Sequence, residues 1–403
     1  MRLICLVACT SRKGLYPAPA EFIYRSPLFS AARSFAESRC DQWFILSAKY
    51  GLLSPSDQVT PYNESLIGMS ESRRVEWARE VFNVLSRKIP SSCGVVFLAG
   101  SAYRSQLEPL LLAAGHRTAA PMSHLGIGSQ VAWLQRLARS QARLAHIDRF
   151  YGLLRRLVAI QGENQSNLRH QSAKSVHAAR GVYFFFEEGE YRMTAPFELR
   201  VTRIGTHSVT AGSKATLWNR LRTHRGGADG IGNHRGSIFR LHVGDALIRR
   251  AGLEAVFPTW GSGQSAPKEI RLGEEEVELE VSRIVGEMSV VWVAVGDEPS
   301  AESDRSFIER NLIALLAGPE GPLDLPSDAW LGRWSAREAI RDSGLWNVNH
   351  VYEKFDPVAL DVLEEYVEVA EGKREERVAS RAPKGWRANL SEIRQKKTQF
   401  DLL

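Results

Sequence analysis

The apolar run Gly181-Val182-Tyr183-Phe184-Phe185-Phe186 constrains the fold of this chain more than any other stretch. It is uncharged and rich in aromatic side chains, so it predicts a strand that is covered on both faces. A second strand is predicted over 199–207, and a helix over 216–224. The second half of the chain is therefore expected to combine a sheet with helices packed on it.

Residues that can carry chemistry occur in a definite order along these predicted elements. Tyr183 lies in the first strand, and His207 follows the second. Arg220 and His224 share one face of the helix, because residues i and i+4 are neighbours. Later in the chain, Glu309 is a lone carboxylate beside the apolar stripe of another predicted helix. The set combines a phenol, imidazoles, a cation and a carboxylate.

In order and chemistry this set resembles the GIY-YIG nuclease family, with a tyrosine on a strand, a strand ending in glycine, an Arg-xxx-His helix and an isolated glutamate. Asn347, in the run Gly344-Leu345-Trp346-Asn347, fits the late asparagine of the family's pattern. The resemblance covers about 179–350. It implies an α+β GIY-YIG-like domain that hydrolyses phosphodiester bonds in DNA.

The resemblance also implies a role for each residue. Phosphodiester hydrolysis requires an activated water, neutralisation of the phosphate and help for the leaving oxygen. Tyr183 is expected to position or deprotonate the water, and Arg220 to contact the scissile phosphate. His224 is expected to assist proton transfer, as in the restriction enzymes of the family. Glu309 is expected to bind a single divalent cation, Mg²⁺ or Mn²⁺, since a lone carboxylate with waters suits such an ion.

The sequence departs from the family's pattern at the second tyrosine. That position belongs to the run Arg203-Ile204-Gly205, and an arginine cannot act as a base at neutral pH. His207 titrates in the right range and is the expected substitute. Arg222 stays an alternative to Arg220 for the phosphate contact.

The interval between His224 and Glu309 is long for this small fold. Its glycine-rich beginning, at 226–236, predicts a loop or a DNA-contacting insertion. Strands are predicted after it at 274–285 and 290–295.

The beginning of the chain shows a different alternation. Apolar strands are predicted at 3–8, 43–46 and 94–99. Helices are predicted between them, at 27–40 and directly after Ser70, which has the residue type of a helix N-cap. Strands that alternate with helices predict a mainly parallel α/β sheet.

Each of these strands is followed by a loop rich in hydroxyl groups and cations. Ligands of open α/β sheets bind at the carboxyl ends of the strands, so the loops are expected to meet in one pocket that suits a phosphate. The same side chains could equally cap helices and solvate turns. The candidates for nucleic-acid or base binding are Ser11, Arg12, Lys13, Lys49, Tyr50, Asp57, Tyr62 and Arg104, with Thr10 and Ser101 beside them.

The segment 45–63 carries a second resemblance. Its Tyr50-Gly51-Leu52-Leu53 run and its later Pro61-Tyr62 pair are similar to the bacterial peroxide-stress DNA-binding family. The opening Cys9-Thr10-Ser11-Arg12-Lys13 run, with Tyr24-Arg25-Ser26-Pro27, resembles more faintly the core of archaeosine synthases, which act on a modified base in transfer RNA. These resemblances imply contact with a nucleic acid or a nucleobase and leave the reaction open.

Composition predicts the remaining organisation. Residues 1–160 are predicted to form the recognition domain, ending in one or two basic helices, and 161–178 a polar linker. Residues 179–370 are predicted to form the nuclease-like domain, with a last helix at 358–370, and 371–403 a charged tail. The net charge of +6 favours a polyanionic partner. Scattered cysteines, no signal peptide and no long apolar run predict a cytoplasmic protein without a membrane span.

The sequence therefore predicts a metal-dependent endonuclease that acts on DNA, with RNA left open. Its N-terminal domain is expected to recognise DNA or a modified base, in a role such as defence or repair. Two alternatives stay open. One is a DNA glycosylase or base-exchange enzyme whose chemistry lies in the N-terminal domain, and the other is a non-catalytic DNA-binding protein.

Overall fold

The computed structural model describes residues 1–162, 167–194, 197–207, 215–227, 229–375 and 380–387. The chain divides into two compact units. Unit 1 contains Met1–Gln141, Gly189–Arg200 and Leu323–Trp330, and unit 2 contains Ala142–Glu188, Val201–Pro322 and Leu331–Leu403. The linker predicted at 161–178 and the charged tail predicted at 371–403 lie partly outside the described residues.

Unit 1 is built around a five-stranded sheet of order β4-β3-β1-β6-β7. All neighbouring strands in it are parallel except β3 and β4, so the predicted mainly parallel α/β sheet is confirmed. Its elements are β1 (Leu3–Ala8), β2 (Ala18–Pro19), α1 (Ala20–Ile23), α2 (Pro27–Arg39), β3 (Gln42–Ser47), β4 (Gly51–Leu53), β5 (Gln58–Val59), α3 (Glu71–Leu85), β6 (Gly94–Leu98), α4 (Ser101–Ala113), β7 (Arg117–Ala119) and α5 (Ile127–Arg139).

Local sequence explains how these elements begin. The apolar side chains of β1 are fully buried, as befits a central strand covered on both faces. The side chain of Ser26 accepts a hydrogen bond from the backbone N–H of Phe29, and Pro27 occupies the first position of α2. Ser70 caps α3 in the same way, as the sequence predicts.

The remaining elements, most of them in unit 2, surround a three-stranded sheet of order β10-β8-β9, in which β10 runs antiparallel to β8. The sheet and its helices give the α+β organisation that was predicted. The elements are α6 (Gln141–Gln161), β8 (Gly181–Tyr191), β9 (Leu199–Gly205), α7 (Leu217–Arg225), α8 (Ile238–Ala251), α9 (Lys268–Gly273), α10 (Glu275–Glu287), β10 (Ser289–Ala294), α11 (Asp304–Ala317), α12 (Glu338–Ser343) and α13 (Val358–Ala370).

The strand predicted at 274–285 is wrong, because most of that segment forms the helix α10. Its β-branched valines favour a strand by residue type, but Val277, Val281 and Val285 recur every four residues and form one buried helical stripe. Glutamates fill the first turn, where the helix dipole favours negative charge. The spacing of the valines therefore determines the secondary structure of this segment, and their β propensity does not.

The basic helical region predicted at 127–160 forms two helices, α5 and α6. Arginines of α6 are paired within unit 2. Arg156 contacts Glu364 in α13 and Glu371 directly after that helix. Arg149 also contacts Glu364. Arg143 donates to backbone carbonyls at the end of α11. These cations stabilise helix packing and are not left free for a DNA backbone. Among the described helices, none has the length and apolarity that crossing a membrane requires.

Candidate active site

The central strand of the sheet in unit 2 places Tyr183 in a fully buried position. Trp292 of β10 lies opposite it in the strand register. The Tyr183 hydroxyl lies 2.9 Å from Nε2 of His224 in α7. Gly205, the last residue of β9, leaves room for the phenol, since a Cβ atom there would stand 2.3 Å from its oxygen. The glycine at this position is thus a steric requirement of the tyrosine.

His224 continues the contact from Tyr183 into a chain of hydrogen bonds. Its Nδ1 atom lies 2.7 Å from Oγ of Ser237, the N-cap of α8. Burial, reinforced by the charges of Arg220 and Arg203, holds the pKa of His224 well below its usual range. The imidazole is therefore neutral at pH 7, with one nitrogen that donates and one that accepts.

A buried ion pair fixes His224 from the other side. Arg240 donates from Nη1 to the carbonyl of His224 at 2.9 Å, and its Nη2 lies 2.5 Å from Oε2 of Glu278. The long interval between His224 and Glu309 therefore contains residues that support His224, although these lie beyond the loop or insertion predicted at 226–236. The sequence analysis missed Ser237 and Arg240. A serine directly before the apolar pair Ile238-Phe239 was a signal for the helix start.

Arg220 lies one turn before His224 on α7 and is partly exposed. Its charge adds to the effect of burial in lowering the pKa of His207 and of His224, and it opposes the effect of burial at Glu309. Arg222 is exposed. The structure therefore places Arg220 near the predicted catalytic residues and leaves Arg222 on the surface of α7.

Glu309 projects from α11, which begins after the N-cap Ser303. Its Oε1 atom accepts a hydrogen bond from the backbone N–H of Thr206 at 3.2 Å. Within the described residues its Oε2 atom has no hydrogen-bond partner. Burial raises the pKa of Glu309, although the charges of Arg203 and His350 act in the opposite direction.

His350 is a neighbour of Glu309 that the sequence analysis missed. It has φ of 67°, the one positive value at a non-glycine residue in the described part of the chain. Its Nδ1 atom lies 3.2 Å from Glu353, which also binds Arg310 at 2.7 Å. A left-handed backbone at a residue other than glycine marks a constrained position, and no local pattern in the sequence indicates it.

Arg203, which the sequence analysis places where the resembled family has its second tyrosine, is buried. Its Nη1 atom donates to the carbonyl of Trp346 at 2.7 Å, and the guanidinium lies 4.6 Å from the ring centre of Phe239. Burial lowers the pKa of Arg203, and the nearby Tyr183 acts in the opposite direction. Its buried Nε atom has no partner among the described residues. The substitution thus places a cation beside the phenol.

Asn347 and His207 both lie near the C-terminal end of β9. The Asn347 side chain accepts from the N–H of Ile204 at 3.1 Å and donates to the carbonyl of Ile204 at 2.8 Å. His207 is buried, with Nε2 3.3 Å from the carbonyl of Ala179. Burial, followed by the charge of Arg305, lowers the pKa of His207 to about 4. His207 is therefore uncharged at neutral pH.

The donor chemistry at Glu309 fits a divalent cation of the Mg²⁺ type. Among the described residues no cluster of three or more His, Cys, Asp or Glu side chains could hold a metal ion. A hard cation that keeps most of its waters needs only one or two carboxylates. Glu309 offers one carboxylate oxygen that no described residue occupies.

Among the candidate residues of unit 1 the structure shows two groups of contacts. In the first group, Nζ of Lys13 lies 4.0 Å from the ring centre of Tyr62. The Tyr62 hydroxyl bonds Ser47 at 2.8 Å, and the Tyr50 ring stands edge-on to Tyr62. Lys49 lies 3.9 Å from Glu64, and with Tyr50 it lines a cavity of about 280 Å³.

The second group lies at the ends of β1 and β6. Thr10, Ser101 and Arg104 line a separate cavity of about 140 Å³ there. The cavity lined by Lys49 and Tyr50 lies beyond the end of β3, whereas this one lies between the ends of β1 and β6. Of the other candidates, Asp57 accepts from the N–H of Ser54 at 2.7 Å and stabilises a turn. Ser11 and Arg12 are exposed.

Comparison with known proteins bears on both units. The model of a family described as GIY-YIG domain matches residues 141–373. The model of a second family, DUF6884, whose function is unknown, matches residues 4–136. The curated "Uncharacterized protein YfjM" of Bacillus subtilis (strain 168) is 29% identical over 151 residues, which are 36% of this chain and 100% of the relative. No solved structure matches. The peroxide-stress and archaeosine-synthase resemblances receive no support from these matches.

Proposed function

The chain belongs to the GIY-YIG family of nucleases, and from that premise we propose that it cuts phosphodiester bonds in DNA at the site around Tyr183. A nuclease of this family is a phosphodiester hydrolase. The observation that carries the proposal is the buried hydrogen bond between Tyr183 and His224. Three charged residues lie near this pair: Arg203, Arg220 and Glu309. They supply the charges that hydrolysis of a phosphodiester requires.

Tyr183 and His224 form the path for the proton of the attacking water. As the water oxygen bonds to phosphorus, its proton moves to the Tyr183 oxygen, and the hydroxyl proton moves to Nε2 of His224. His224 can accept because its lowered pKa keeps it neutral, and Ser237 receives the N–H of its other nitrogen. The bond from phosphorus to the leaving oxygen then breaks, that oxygen takes up a proton from the solvent, and His224 returns its proton to the solvent.

Arg220 binds the scissile phosphate in this proposal. It lies on the same helix face as His224 and is partly exposed, so a substrate can reach it. A bound phosphate offsets the positive charges that lower the pKa of His224, which makes the imidazole a better base when substrate is present. Substrate binding thus prepares the site for proton transfer.

Arg203 takes a role that a second tyrosine cannot fill. It lies beside the Tyr183 hydroxyl, held by the carbonyl of Trp346. A buried cation at this place stabilises negative charge on the phenol oxygen while the proton is in transfer. Because Arg203 is buried, water does not screen the interaction between its charge and the phenol oxygen.

Glu309 is the residue that holds a divalent cation in this proposal. The bound ion supplies Lewis-acid stabilisation of charge on the phosphate oxygens. Thr206 orients the carboxylate through its backbone N–H, and α11 fixes its height above the sheet. Asn347 acts as a positioning residue by tying β9 at Ile204. His207 stays a candidate for the same reaction.

Unit 1 recognises DNA in this proposal. Its exposed loop cations, Arg12 among them, and the partly buried ammonium of Lys13 suit a phosphate backbone. The net charge of +6 agrees with a polyanionic partner.

Cleavage of supercoiled plasmid tests the proposal. Wild type is expected to nick the plasmid with Mg²⁺ or Mn²⁺ and to stop on addition of EDTA. Tyr183→Phe keeps the ring and removes the hydroxyl, so it is expected to lower the rate by about 10²–10⁴-fold. Abasic sites in place of nicks, or full activity of Tyr183→Phe, would overturn it.

A further inference from the structure

The sheet of unit 1 has a topological switch point between β1 and β6. From β1 the chain passes through α2 to β3 on one side, whereas β6 lies on the other side and leads through α4 to β7. Sheets of this kind bind ligands at the carboxyl ends of the strands where the order reverses. The cavity of about 140 Å³ lies at that place, between the ends of β1 and β6.

The walls of this cavity suit one planar ring with polar edges. Phe29, Leu98 and Met122 give it apolar walls, while Thr10 and Ser101 give it hydroxyl groups. A cavity of about 150 Å³ accommodates a single benzene ring. The switch-point cavity therefore has room for one six-membered ring, and its hydroxyls can bond the ring's heteroatoms. Arg104 adds a cation at the same cavity.

The loop that follows β1 exposes two large apolar side chains. Leu15 is 87% exposed and Tyr16 is 79% exposed. The base of the loop is fixed, because Gly14 N–H donates to the carbonyl of Ile23 and Lys13 pairs with Tyr24. Leu15 is five residues beyond Thr10, which lines the cavity, so a fully extended chain would separate them by at most about 18 Å.

Exposed apolar side chains beside cations have a defined use on DNA. Apolar wedges enter the base stack, and aromatic rings stack on unpaired bases. Arg12, three residues before Leu15, is exposed and can meet a phosphate. The loop therefore offers a wedge, a stacking ring and a cation within one short segment.

We propose that the Leu15–Tyr16 loop and the switch-point cavity together form a base-flipping site for DNA. Leu15 and Tyr16 fill the gap in the stack, and one extrahelical pyrimidine enters the cavity against Phe29. Its phosphate lies toward Arg104. The proposal rests on DNA as the substrate, but it does not depend on the cleavage site in unit 2.

This site gives the protein a preference that base contacts alone would not supply. Extruding a base costs least where the pair is mismatched or damaged. DNA with such a weakened pair is therefore the ligand that the site selects. The single-ring volume of the cavity favours an extruded pyrimidine over a purine.

Fluorescence of 2-aminopurine tests this site. The probe is placed next to a T·G mismatch in a duplex, and full-length Glu309→Gln protein is added without a divalent cation, so that no cleavage is needed. Unstacking beside the flipped thymine is expected to raise the fluorescence several-fold. Tyr16→Ala and Gly100→Leu are expected to remove most of the rise, since the first removes the stacking ring and the second narrows the cavity. A Cβ atom at Gly100 meets no atom within 4 Å, so the latter variant should fold.

Ile67→Ala is the matched control, because Ile67 is also 79% exposed in unit 1 but lies in a separate segment, the 3₁₀ helix Leu66–Gly68. It is expected to keep the full fluorescence rise. Saturated binding without a rise, no binding at all, or an equal rise in all variants would overturn the proposal. Stabilisation of the protein by free dCMP, with no signal on the duplex, would instead identify a free nucleotide as the ligand. Because nicking by wild type is measured separately, failure here leaves the nuclease proposal standing.

Discussion

The phenol of Tyr183 packs directly against Gly205, so that a Cβ atom at Gly205 would stand 2.3 Å from both the ring carbon Cζ and the oxygen. Real Cβ atoms do not approach other atoms this closely. We expect Gly205→Ala to displace the phenol and break its bond to His224. A displacement of about 1 Å at a catalytic group can cost about 10²-fold in rate. Plasmid nicking by the variant, with thermal unfolding as a control for overpacking, measures the effect. Wild-type activity in a folded Gly205→Ala protein would contradict it.

The two arginines of α7 form a matched pair of variants. Arg220→Ala is expected to lower the cleavage rate by about 10²-fold or more, because it removes a partly exposed cation near the catalytic groups that a phosphate can reach. Arg222→Ala removes the same charge from an exposed position two residues away and should change the rate little. Single-turnover cleavage of a labelled duplex compares them. The reverse order of effects would assign the phosphate contact to Arg222.

Arg203 predicts a change in the pH dependence of cleavage. Arg203→Lys keeps a positive charge near Tyr183, and Arg203→Met removes it. Without the cation, negative charge on the phenol oxygen is less stable, so we expect the pH–rate profile of Arg203→Met to move to higher pH. The Lys variant should keep a profile closer to wild type. Rates measured from pH 6 to 9 decide this, and a purely structural role would lower the rate equally at every pH.

His242 predicts how stability depends on pH. It is buried in α8, and burial lowers its pKa from 6.5 to about 4. The unfolded chain takes up a proton below about pH 6.5, which the folded chain resists. The free energy of unfolding should therefore fall as the pH drops from 6.5 toward 4, by on the order of 3 kcal/mol for this group. Urea unfolding at pH 7.5 and pH 5 should show a smaller difference for His242→Gln. An equal difference would contradict the assignment.

Elements whose pattern is local were predictable from the sequence. The run of β1 and the beginning of β8, at 181–186, are continuous apolar segments, and α7 shows its Arg220 and His224 on one face by spacing alone. A single helix turn fixes that relationship, whatever the rest of the fold does. The strand predicted at the position of α10 was wrong, because the valines there favour a strand by residue type but a helix by their spacing.

The supporting residues of the site could not be read from local patterns. Ser237 and Arg240 meet His224 only after the chain has folded back through α8. His350 acts on Glu309 from a turn about forty residues farther along the sequence. The single pocket expected in unit 1 stays a prediction, while Lys49 and Arg104 line cavities at the ends of different strands.

Glu309→Gln tests the central claim most directly, because it removes the charge of the proposed metal ligand and keeps its size. Glu276→Gln makes the same change at an exposed position on α10 and is the control. In a Mg²⁺ titration with supercoiled plasmid, wild type and Glu276→Gln are expected to nick with the same metal dependence, and Glu309→Gln to give no nicking above background. Nicking by Glu309→Gln at the wild-type rate and metal concentration would show that the reaction does not use this site.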